Sequence, residues 1–478
     1  MNYRVVVVGG GISGLAAAHR LMELDRDGPH DIRVTLLEAN QRMGGTIGTE
    51  HVSGFLVESG PDSFIAEKPW GLQLCERLGI ASNLISLGSA RRKIYVVHQG
   101  SLVPLPEGFI LMAPTRLWPL IRTPLFSWSA KLRILLELFL PRGRRVEDES
   151  MGSFVRRRFG QELLERVAQP LMGGIYAANP EELSLKSTMP RFLELERTRR
   201  SIIWASWLEQ RRRARSQPMG SGARWGLFVS FADGMQQLVE NLTGRIGTET
   251  VRKGTRAVSL EWNATRKVWG LTTDGGEQLE ADGVILAIPA YAAARTLSSV
   301  DPELAKGLGA IPYTSTATVT LAYRRADIPN GLDGFGVVVP ARERRQIIAC
   351  SFSSVKYAGR APADHELIRA FVGGALQLEL FEQSDEAMER CVRQELAALL
   401  GIKAEPLFCR IHRHPKSMPQ YRVGHSERVG SIKEQLAKHK GLALAGNAYS
   451  GVGIADCIHS GESAAEALVN EWTPREIR

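Results

Sequence analysis

The apolar residues at the start of the chain form three segments with different periodicity. Arg4–Val8 ends in four consecutive valines, which is typical of a strand buried on both faces. Apolar residues recur at helical spacing along Gly14–Leu24, and Ile32–Leu37 is a second apolar strand. The pattern predicts a strand–helix–strand unit, followed by a hairpin over Gly48–Glu58.

Later segments alternate between the two patterns. Strands are predicted over Thr250–Asp274, Gly283–Ala287, Thr314–Tyr323, Gly336–Val339 and Ile347–Phe352, and mostly helical structure over Ser150–Ser187, Phe192–Arg215 and Glu386–Leu399. The segment Gly441–Leu468 combines a strand, a glycine-rich loop and a helix. With 478 residues, the chain is expected to form an α/β fold of two or three domains.

The segment Leu102–Pro141 differs from the rest because prolines alternate with aromatic and basic residues. A helix is predicted over Leu132–Leu140. One interpretation is a proline-rich helical cap over a core; the other is a surface that enters the membrane interface, where aromatic and basic side chains are stabilised. Arg116 and Arg122 interrupt the apolar residues, so no run reaches the roughly 20 that a spanning helix needs.

The composition of the chain limits the kinds of molecule that it is expected to bind. The net charge of +9 favours anionic partners, and the five cysteines are scattered without a CxxC pair, which argues against a zinc site or a disulfide framework. The basic run Arg211–Arg213 lacks interleaved aromatics, so we expect no nucleic acid. The first strand begins at Arg4 and leaves no room for a signal or transit peptide, so we expect a cytoplasmic protein.

A GxGxxG motif follows the first strand. Gly9 permits the tight turn, Gly11 lets the backbone approach a pyrophosphate, and Gly14 lets helix and strand pack closely. Glu38 ends the second strand, where an acid can bind ribose hydroxyls. The pattern predicts a dinucleotide site; the alternative is that the glycines serve packing alone.

Two further glycine-rich segments favour FAD over NAD. Arg42, Gly44 and Gly45 follow Glu38, as in the extended N-terminal signature of flavoproteins such as amine oxidases. Near the C-terminus, Gly451–Gly453 lies between a strand and a helix. Backbone N–H groups there would meet the carbonyl edge of a flavin, and the helix dipole would favour negative charge on the reduced ring.

The chain resembles the protoporphyrinogen oxidase family over nearly its whole length. The resemblance is carried by GGGISGLAAAHRL, RMGGTIGTE, ESGPDSF, GGIYAANPEELSL, GFGVVVP, HPKSMPQYRVGH and GVGIADCIHSG. It implies an FAD-binding domain of Rossmann type from residues 1–88, 231–295 and 430–478. It further implies a mixed-sheet substrate domain (89–100, 205–230 and 296–429) and a helical, possibly membrane-associating region (101–204).

The resemblance also implies the cofactor contacts. They are Gly9, Gly10, Gly11, Ile12, Ser13, Gly14, Glu38, Ala39, Arg42, Gly45, Thr46, Gly60, Pro61, Asp62, Ser63, Ala257, His414, Val452, Gly453 and Ile454. The spacing of His412 and His414 also suits a metal, but two histidines without a third ligand make that the weaker interpretation, so no metal is predicted.

The activity implied is the six-electron oxidation of protoporphyrinogen IX late in haem biosynthesis. Three hydride transfers to flavin N5 would each be followed by reoxidation with O2, giving hydrogen peroxide. No catalytic side chain is required, because the pyrrole N–H protons can leave to solvent and the flavin carries the chemistry.

Four residues are expected at the substrate. By resemblance Arg92 binds a propionate through a planar fork, with Arg91 as the competing residue and a solvated basic pair as the alternative. Gly174 would present its backbone to the substrate, or simply end a helix. Phe352 would stack on a pyrrole ring, or belong to the core, and Val338 would line the same slot.

Other functions stay open at this point. One branch of the family oxidises coproporphyrinogen III, which carries four propionates; many members lack the arginine matched by Arg92, yet GPDSF and SMPQYRVGH resemble that branch. A flavin amine oxidase and a non-catalytic flavin-binding scaffold are the wider alternatives. Further partners expected are the inner face of a bacterial cell membrane and the next enzyme of the pathway, with either a monomer or a homodimer.

Overall fold

The computed structural model describes residues 2–88, 93–110, 112–143, 147–215 and 227–472. Within them the strands are β1 (Asn2–Val8), β2 (Asp31–Glu38), β3 (Thr49–Val52), β4 (Phe55–Glu58), β5 (Phe64–Ile65), β6 (Leu84–Ser86), β7 (Ile94–His98), β8 (Ser101–Pro104), β9 (Phe109–Ile110), β10 (Ala113–Pro114), β11 (Phe228–Phe231), β12 (Val251–Lys253), β13 (Ala257–Asn263), β14 (Val268–Thr273), β15 (Gln278–Ala281), β16 (Gly283–Leu286), β17 (Tyr313–Arg324), β18 (Gly336–Val338), β19 (Ala349–Phe352), β20 (His365–Gly373), β21 (Phe408–Pro419) and β22 (Leu442–Leu444).

The α-helices of the same residues are α1 (Ile12–Asp27), α2 (Pro69–Leu78), α3 (Leu117–Arg122), α4 (Trp128–Leu135), α5 (Met151–Phe159), α6 (Gln161–Leu163), α7 (Gln169–Tyr176), α8 (Leu185–Thr188), α9 (Pro190–Arg199), α10 (Ile202–Arg215), α11 (Gln236–Ile246), α12 (Ala290–Thr296), α13 (Pro302–Gly309), α14 (Ser353–Lys356), α15 (Leu378–Phe381), α16 (Asp385–Leu400), α17 (His425–Leu436) and α18 (Ile454–Trp472). The fold is a mixed α/β fold built on several sheets.

A parallel sheet carries the glycine-rich motif. Its strand order is β12-β2-β1-β16-β22, and all neighbours run parallel. The valines of β1 alternate between two cores, because Val5 and Val7 face the core under α1 while Val6 and Val8 face the core on the other side. The strand is therefore buried on both faces, as its continuous apolar run predicted.

Helices α1 and α18 cover one face of this sheet and cross at very close range. A Cβ on Gly461 would lie 2.1 Å from the carbonyl oxygen of Ser13, so no side chain fits there. The crossing joins the first and last helices described and brings the two glycine-rich ends of the chain to the same sheet.

A seven-stranded mixed sheet forms the second layer, in the order β21-β17-β20-β19-β18-β7-β8. The β18–β7 pair is parallel and the other pairs are antiparallel. One face packs on α16 through Val392 and Leu396. The other face meets the β3–β4 hairpin and the helices of residues 112–215. We propose that the two sheets are the cofactor and substrate domains predicted from the sequence.

The helices between β8 and β11 share an apolar core with one face of the seven-stranded sheet; it is called the helical core below and includes Ile134, Phe154, Leu164 and Met172. The helix predicted over Leu132–Leu140 begins earlier, at Trp128, because the Ser127 side chain accepts the Ala130 N–H at 3.2 Å and caps it. It ends in a 3-10 turn over Leu136–Leu138. No helix in the described ranges is long and apolar enough to cross a membrane.

A buried carboxylate ties this region together. Glu137, which is fully buried, pairs with the buried Arg158 and accepts hydrogen bonds from the Ser201 hydroxyl at 2.7 Å and the Ile202 N–H at 2.8 Å. It therefore caps the N-terminus of α10 and neutralises a buried guanidinium. The same guanidinium also pairs with the buried Glu196 at 3.4 Å, so removal of Glu137 would leave the charge of Arg158 only partly compensated.

Glu137→Gln should lower the free energy of unfolding by about 3 kcal/mol, because Arg158 keeps only the more distant Glu196, at 3.4 Å, as a buried counter-charge. Glu194→Gln is the matched control, since it removes the same charge from an exposed position on α9. Chemical denaturation of both variants measures the difference. Equal stabilities would show that the buried pair contributes nothing.

Candidate functional site

The turn after β1 leaves an open cradle at the start of α1. Gly9 has a φ of +108°, and a Cβ there would lie 2.5 Å from the Ala287 carbonyl oxygen. A Cβ on Gly14 would lie 1.8 Å from the Gly9 carbonyl oxygen, whereas one on Gly11 meets no atom within 4 Å. Packing therefore excludes side chains at Gly9 and Gly14, and Gly11 faces free space beside the N–H groups of Ile12 and Ser13.

Glu38 closes the other side of the cradle. Its carboxylate is buried and accepts the Gly10 N–H at 2.7 Å and the Asn40 N–H at 2.8 Å. It keeps lone pairs that would accept from ribose hydroxyls. The Thr255 N–H donates to the Glu38 carbonyl oxygen at 2.9 Å, which brings Ala257 to the same corner as Glu38 and Ala39. These residues fit a dinucleotide.

The loop after Glu38 folds back over the glycine-rich turn. The Gly44 N–H donates to the Gly10 carbonyl oxygen at 2.8 Å, and a Cβ on Gly45 would lie 3.3 Å from the Gly11 Cα. Arg42 shapes this loop, because its guanidinium donates to the Gly45 carbonyl oxygen at 2.6 Å and also to that of Ile47. The Arg42 side chain therefore folds back onto its own loop and fixes the shape of the loop through these two hydrogen bonds.

Gly60–Ser63 lies against this loop and against the seven-stranded sheet. A Cβ on Gly60 would lie 1.9 Å from the Thr46 carbonyl oxygen, so the two segments are in contact. The Gly60 carbonyl oxygen accepts from Arg369 at 2.6 Å, and Pro61 follows it. This contact ties the cofactor sheet to β20.

Asp62 belongs to a buried cluster of charged side chains that we did not predict from the sequence. Its carboxylate pairs with Lys356 at 3.0 Å and with Arg369 at 3.2 Å, and the Ser63 hydroxyl donates to it at 2.7 Å. Burial opposes ionisation of Asp62, but the two cations outweigh it and hold its pKa well below the usual range. The side chains of Asp62 and Ser63 are thus engaged with the protein, and the backbone of the segment is what a cofactor would contact.

His414 lies on β21 and reaches the same segment. Its Nε2 contacts the Ser59 carbonyl oxygen at 2.8 Å, so Nε2 carries a proton, and burial lowers the pKa of the ring. His414 is therefore neutral at neutral pH. The nearby His412 contacts Glu50 at 2.7 Å, so the two histidines have separate partners.

The C-terminal loop joins β22 to α18. Gly451 has a φ of +145°, and a Cβ there would lie 2.4 Å from the Asp456 Cγ. The Lys68 ammonium group donates to both carboxylate oxygens of Asp456, at 2.6 and 2.7 Å. Val452 packs against the helical core, and Ile454 is buried against the core under α1. Gly453 lies between them, so this loop touches both layers of the protein.

Gly174 and Val338 lie on two elements that border the helical core, α7 and β18. Gly174 is exposed near the end of α7, and a Cβ there meets no atom within 4 Å. The adjacent Ile175 is 44% exposed. Val338 belongs to the helical core against which Val452 packs. Val338 and Val452 therefore pack on the same apolar core, and Gly174 lies exposed on α7, whose Tyr176 carbonyl oxygen accepts from Gln420 at 3.2 Å.

Phe352 is not in that core. Its ring is buried on the opposite face of the seven-stranded sheet, beside Ile368 in the core under α16. Val338 and Phe352 therefore do not line one slot, which corrects that expectation: along β18 and β19 the period of two directs them to opposite faces. Arg92 and its alternative Arg91 lie outside the described residues.

A cleft of about 350 Å³ lies beside α7. It is lined mainly by Gly173, Ala177, Ile348 and Gly374, and it contains none of the predicted cofactor or substrate residues. The candidate cofactor site is therefore the glycine-rich turn with the segments that pack on it and the C-terminal loop, not this cleft.

The comparison with known proteins agrees with this arrangement. The flavin containing amine oxidoreductase family matches residues 12–469. Coproporphyrinogen III oxidase of Bacillus subtilis (strain 168) is 35% identical over 96% of this chain and 96% of its own length. Protoporphyrinogen oxidase of Macaca fascicularis is 32% identical over 98% of this chain and 99% of its own.

A solved structure is also similar along the whole chain. It is a crystal structure of a proposed protoporphyrinogen oxidase from Exiguobacterium sp. 255-15, with a TM-score of 0.85 and 33% identity over 98% of this chain and 99% of that one. The chain therefore belongs to the protoporphyrinogen oxidase group of the flavin-containing amine oxidoreductase family, and it is an oxidoreductase with FAD as its cofactor.

Proposed function

We propose that this protein oxidises a porphyrinogen to a porphyrin by removing six electrons, with O2 as the acceptor, late in haem biosynthesis. The observation that carries the proposal is that the C-terminal loop joins two parts of the molecule: Ile454 is buried in the core under α1, and Val452 packs on the core that contains Val338. FAD supplies the redox chemistry when bound, since it takes up two electrons at a time as a hydride and is reoxidised by O2.

The protein holds the cofactor mainly through backbone groups. The first N–H groups of α1, at Ile12 and Ser13, face the pyrophosphate across Gly11, and Glu38 binds a ribose. Ala39 and Ala257 border the adenosine half, and Thr46, whose carbonyl oxygen packs on Gly60, lies farther along toward the flavin. Gly60–Ser63, His414 and Val452–Ile454 border the flavin ring. The contacts among these segments support this division: Gly44 binds the Gly10 carbonyl oxygen, Gly60 packs on Thr46, and His414 binds the Ser59 carbonyl oxygen.

The protein's contribution at the substrate is to orient it. Ile175 presents an apolar side chain beside Gly174, whose missing side chain leaves room for a flat macrocycle. His414 is neutral, and its Nε2–H donates to the Ser59 carbonyl oxygen, so this edge of the ring is engaged with the protein. The pyrrole N–H protons can leave to solvent, and alignment of the substrate supplies the rate enhancement.

Gly11→Val should raise the Kd for FAD at least tenfold, because the new side chain projects into the open cradle where the pyrophosphate would lie. Its stability without FAD should change little, since a Cβ at Gly11 meets no protein atom within 4 Å. Gly244→Val is the matched control on α11, where a Cβ is equally unobstructed. Titration of apoprotein with FAD measures both; unchanged affinity in the Gly11 variant would remove the cradle from the site.

Two porphyrinogens compete as the substrate. Arg92 favours protoporphyrinogen IX through its resemblance to a propionate-binding arginine. The relative with 35% identity acts on coproporphyrinogen III, according to its name, and that relative is more similar than the macaque protoporphyrinogen oxidase at 32%. The excess of nine positive charges also suits the substrate with four carboxylates. We therefore propose coproporphyrinogen III, with protoporphyrinogen IX as the second candidate.

The kcat/KM of the purified enzyme should be higher on coproporphyrinogen III than on protoporphyrinogen IX. Parallel assays of porphyrin fluorescence under the same O2 concentration measure the ratio. The reverse order would support the assignment based on Arg92, and Arg92→Ala should then raise KM for protoporphyrinogen IX while FAD stays bound.

The helical region carries an aromatic and apolar surface that suits a lipid bilayer. Trp128, Leu132 and Phe139 are 70%, 64% and 74% exposed and follow one side of α4 and its 3-10 turn. Trp118 on α3 is exposed as well, and Arg122 lies over its ring at 4.6 Å. Lys131 donates to the Ile121 carbonyl oxygen at 2.7 Å and so joins the two helices. We propose that this surface enters the interface of an anionic membrane.

Trp128→Ser/Phe139→Ser should abolish most binding to anionic vesicles, because two exposed apolar anchors are lost. Val258→Ser/Trp262→Ser is the matched control. It also removes two exposed apolar side chains, but from β13, which belongs to a separate three-stranded sheet with β14 and β15. Flotation with vesicles containing phosphatidylglycerol measures the bound fraction. Equal binding by the two double variants would contradict this surface as the membrane contact.

A further inference from the structure

The segment Gln420–His425 lies between the C-terminal loop and the helical region. The Ser184 N–H donates to the Tyr421 carbonyl oxygen at 2.7 Å, and the Val423 N–H donates to that of Glu182 at 3.0 Å. The Gly424 N–H donates to an Asp148 carboxylate oxygen at 3.1 Å. The backbone of the segment is therefore fixed to the helical region.

The side chain of Tyr421 extends the other way, to the C-terminal loop. Its hydroxyl accepts the Gly451 N–H at 2.9 Å and donates to the Asn447 carbonyl oxygen. The ring is 2% exposed and stacks on His425, with centroids 4.0 Å apart and planes inclined by 12°. Burial raises the pKa of Tyr421, so the hydroxyl stays protonated and able to fill both roles.

The loop of residues 447–453 is held in place by hydrogen bonds to other segments of the chain. Gly451 has a positive φ and has no room for a Cβ beside Asp456, so position 451 cannot carry a side chain that would fix the loop. The Asn447 side chain makes a second connection in the same direction, since it donates to the Ser417 carbonyl oxygen at 3.1 Å. Tyr421 thus binds both ends of the turn that precedes Val452.

We propose that Tyr421 is a positioning residue whose hydroxyl holds the loop 447–453 in the conformation that binds the flavin. The inference rests on the proposed function, because it takes Val452–Ile454 to be at the cofactor. It adds a physical reason for the pairing of two sequence segments, MPQYRVGH and GNAYSGVG, which lie 30 residues apart at Tyr421 and Gly451.

Tyr421→Phe should raise the Kd of the apoprotein for FAD about tenfold, because the loop loses two hydrogen bonds that order it before binding; this corresponds to about 1.4 kcal/mol. Tyr323→Phe is the matched control. Its ring is 1% exposed in β17, away from the loop, and its loss of a buried hydroxyl should leave the Kd for FAD unchanged. Flavin fluorescence quenching measures the Kd, and thermal unfolding of each apoprotein separates a general loss of stability from a local one.

Gly453→Val separates this inference from the proposed function. If Gly453→Val weakens FAD binding and Tyr421→Phe leaves the Kd within twofold of wild type, the role of Tyr421 is overturned while the loop remains at the flavin. If neither variant changes the Kd, the loop itself is not at the cofactor and both proposals fail there.

The rate of amide hydrogen exchange in the wild-type protein gives a second test, which does not depend on whether a variant folds. The Gly451 amide should exchange slowly with and without FAD, because Tyr421 accepts its hydrogen bond in both states. Rapid exchange in both states would overturn the inference.

Discussion

The close crossing of α1 and α18 is the constraint on which the site depends. With no room for a side chain at Gly461, the carbonyl of Ser13 packs directly on α18, and the first and last helices described become one unit against the parallel sheet. This contact brings the turn after β1 and the loop before α18, more than 400 residues apart in sequence, to one space. A dinucleotide with a flavin at one end would need both, with its pyrophosphate at the start of the first helix and its ring toward the C-terminal loop.

A second set of contacts attaches the substrate layer to this unit. Arg369, from the middle of β20, donates to the Gly60 carbonyl oxygen and pairs with Asp62, while His414 on β21 binds the Ser59 carbonyl oxygen. On the other side, Tyr421 reaches Gly451 from a segment fixed to the helical region. The segments proposed to bind the cofactor are thus held by side chains from outside the parallel sheet. The geometry of the proposed site therefore depends on how the two layers are oriented.

The local patterns of the chain predicted the parallel sheet and its glycine-rich turn, because strand burial and GxGxxG spacing depend on neighbouring residues only. The charge cluster at Asp62 was missed, although Arg369 within the apolar strand HELIRAFVG was a signal of a buried ion pair. Phe352 was placed with Val338 by resemblance, and only the register of β18 and β19 shows that they face opposite ways. The contact of Tyr421 with Gly451 depends on the packing of three distant segments, which no local pattern contains.

The central claim is that the protein couples bound FAD to porphyrinogen oxidation by O2. The most direct test is the stoichiometry of the purified holoenzyme, with an O2 electrode and porphyrin absorbance recorded in the same vessel. Removal of six electrons in steps of two predicts three O2 consumed, and three hydrogen peroxide formed, for each porphyrin produced. An FAD-bound protein that consumes no O2 with either porphyrinogen, or that consumes O2 only with an amine, would contradict the account.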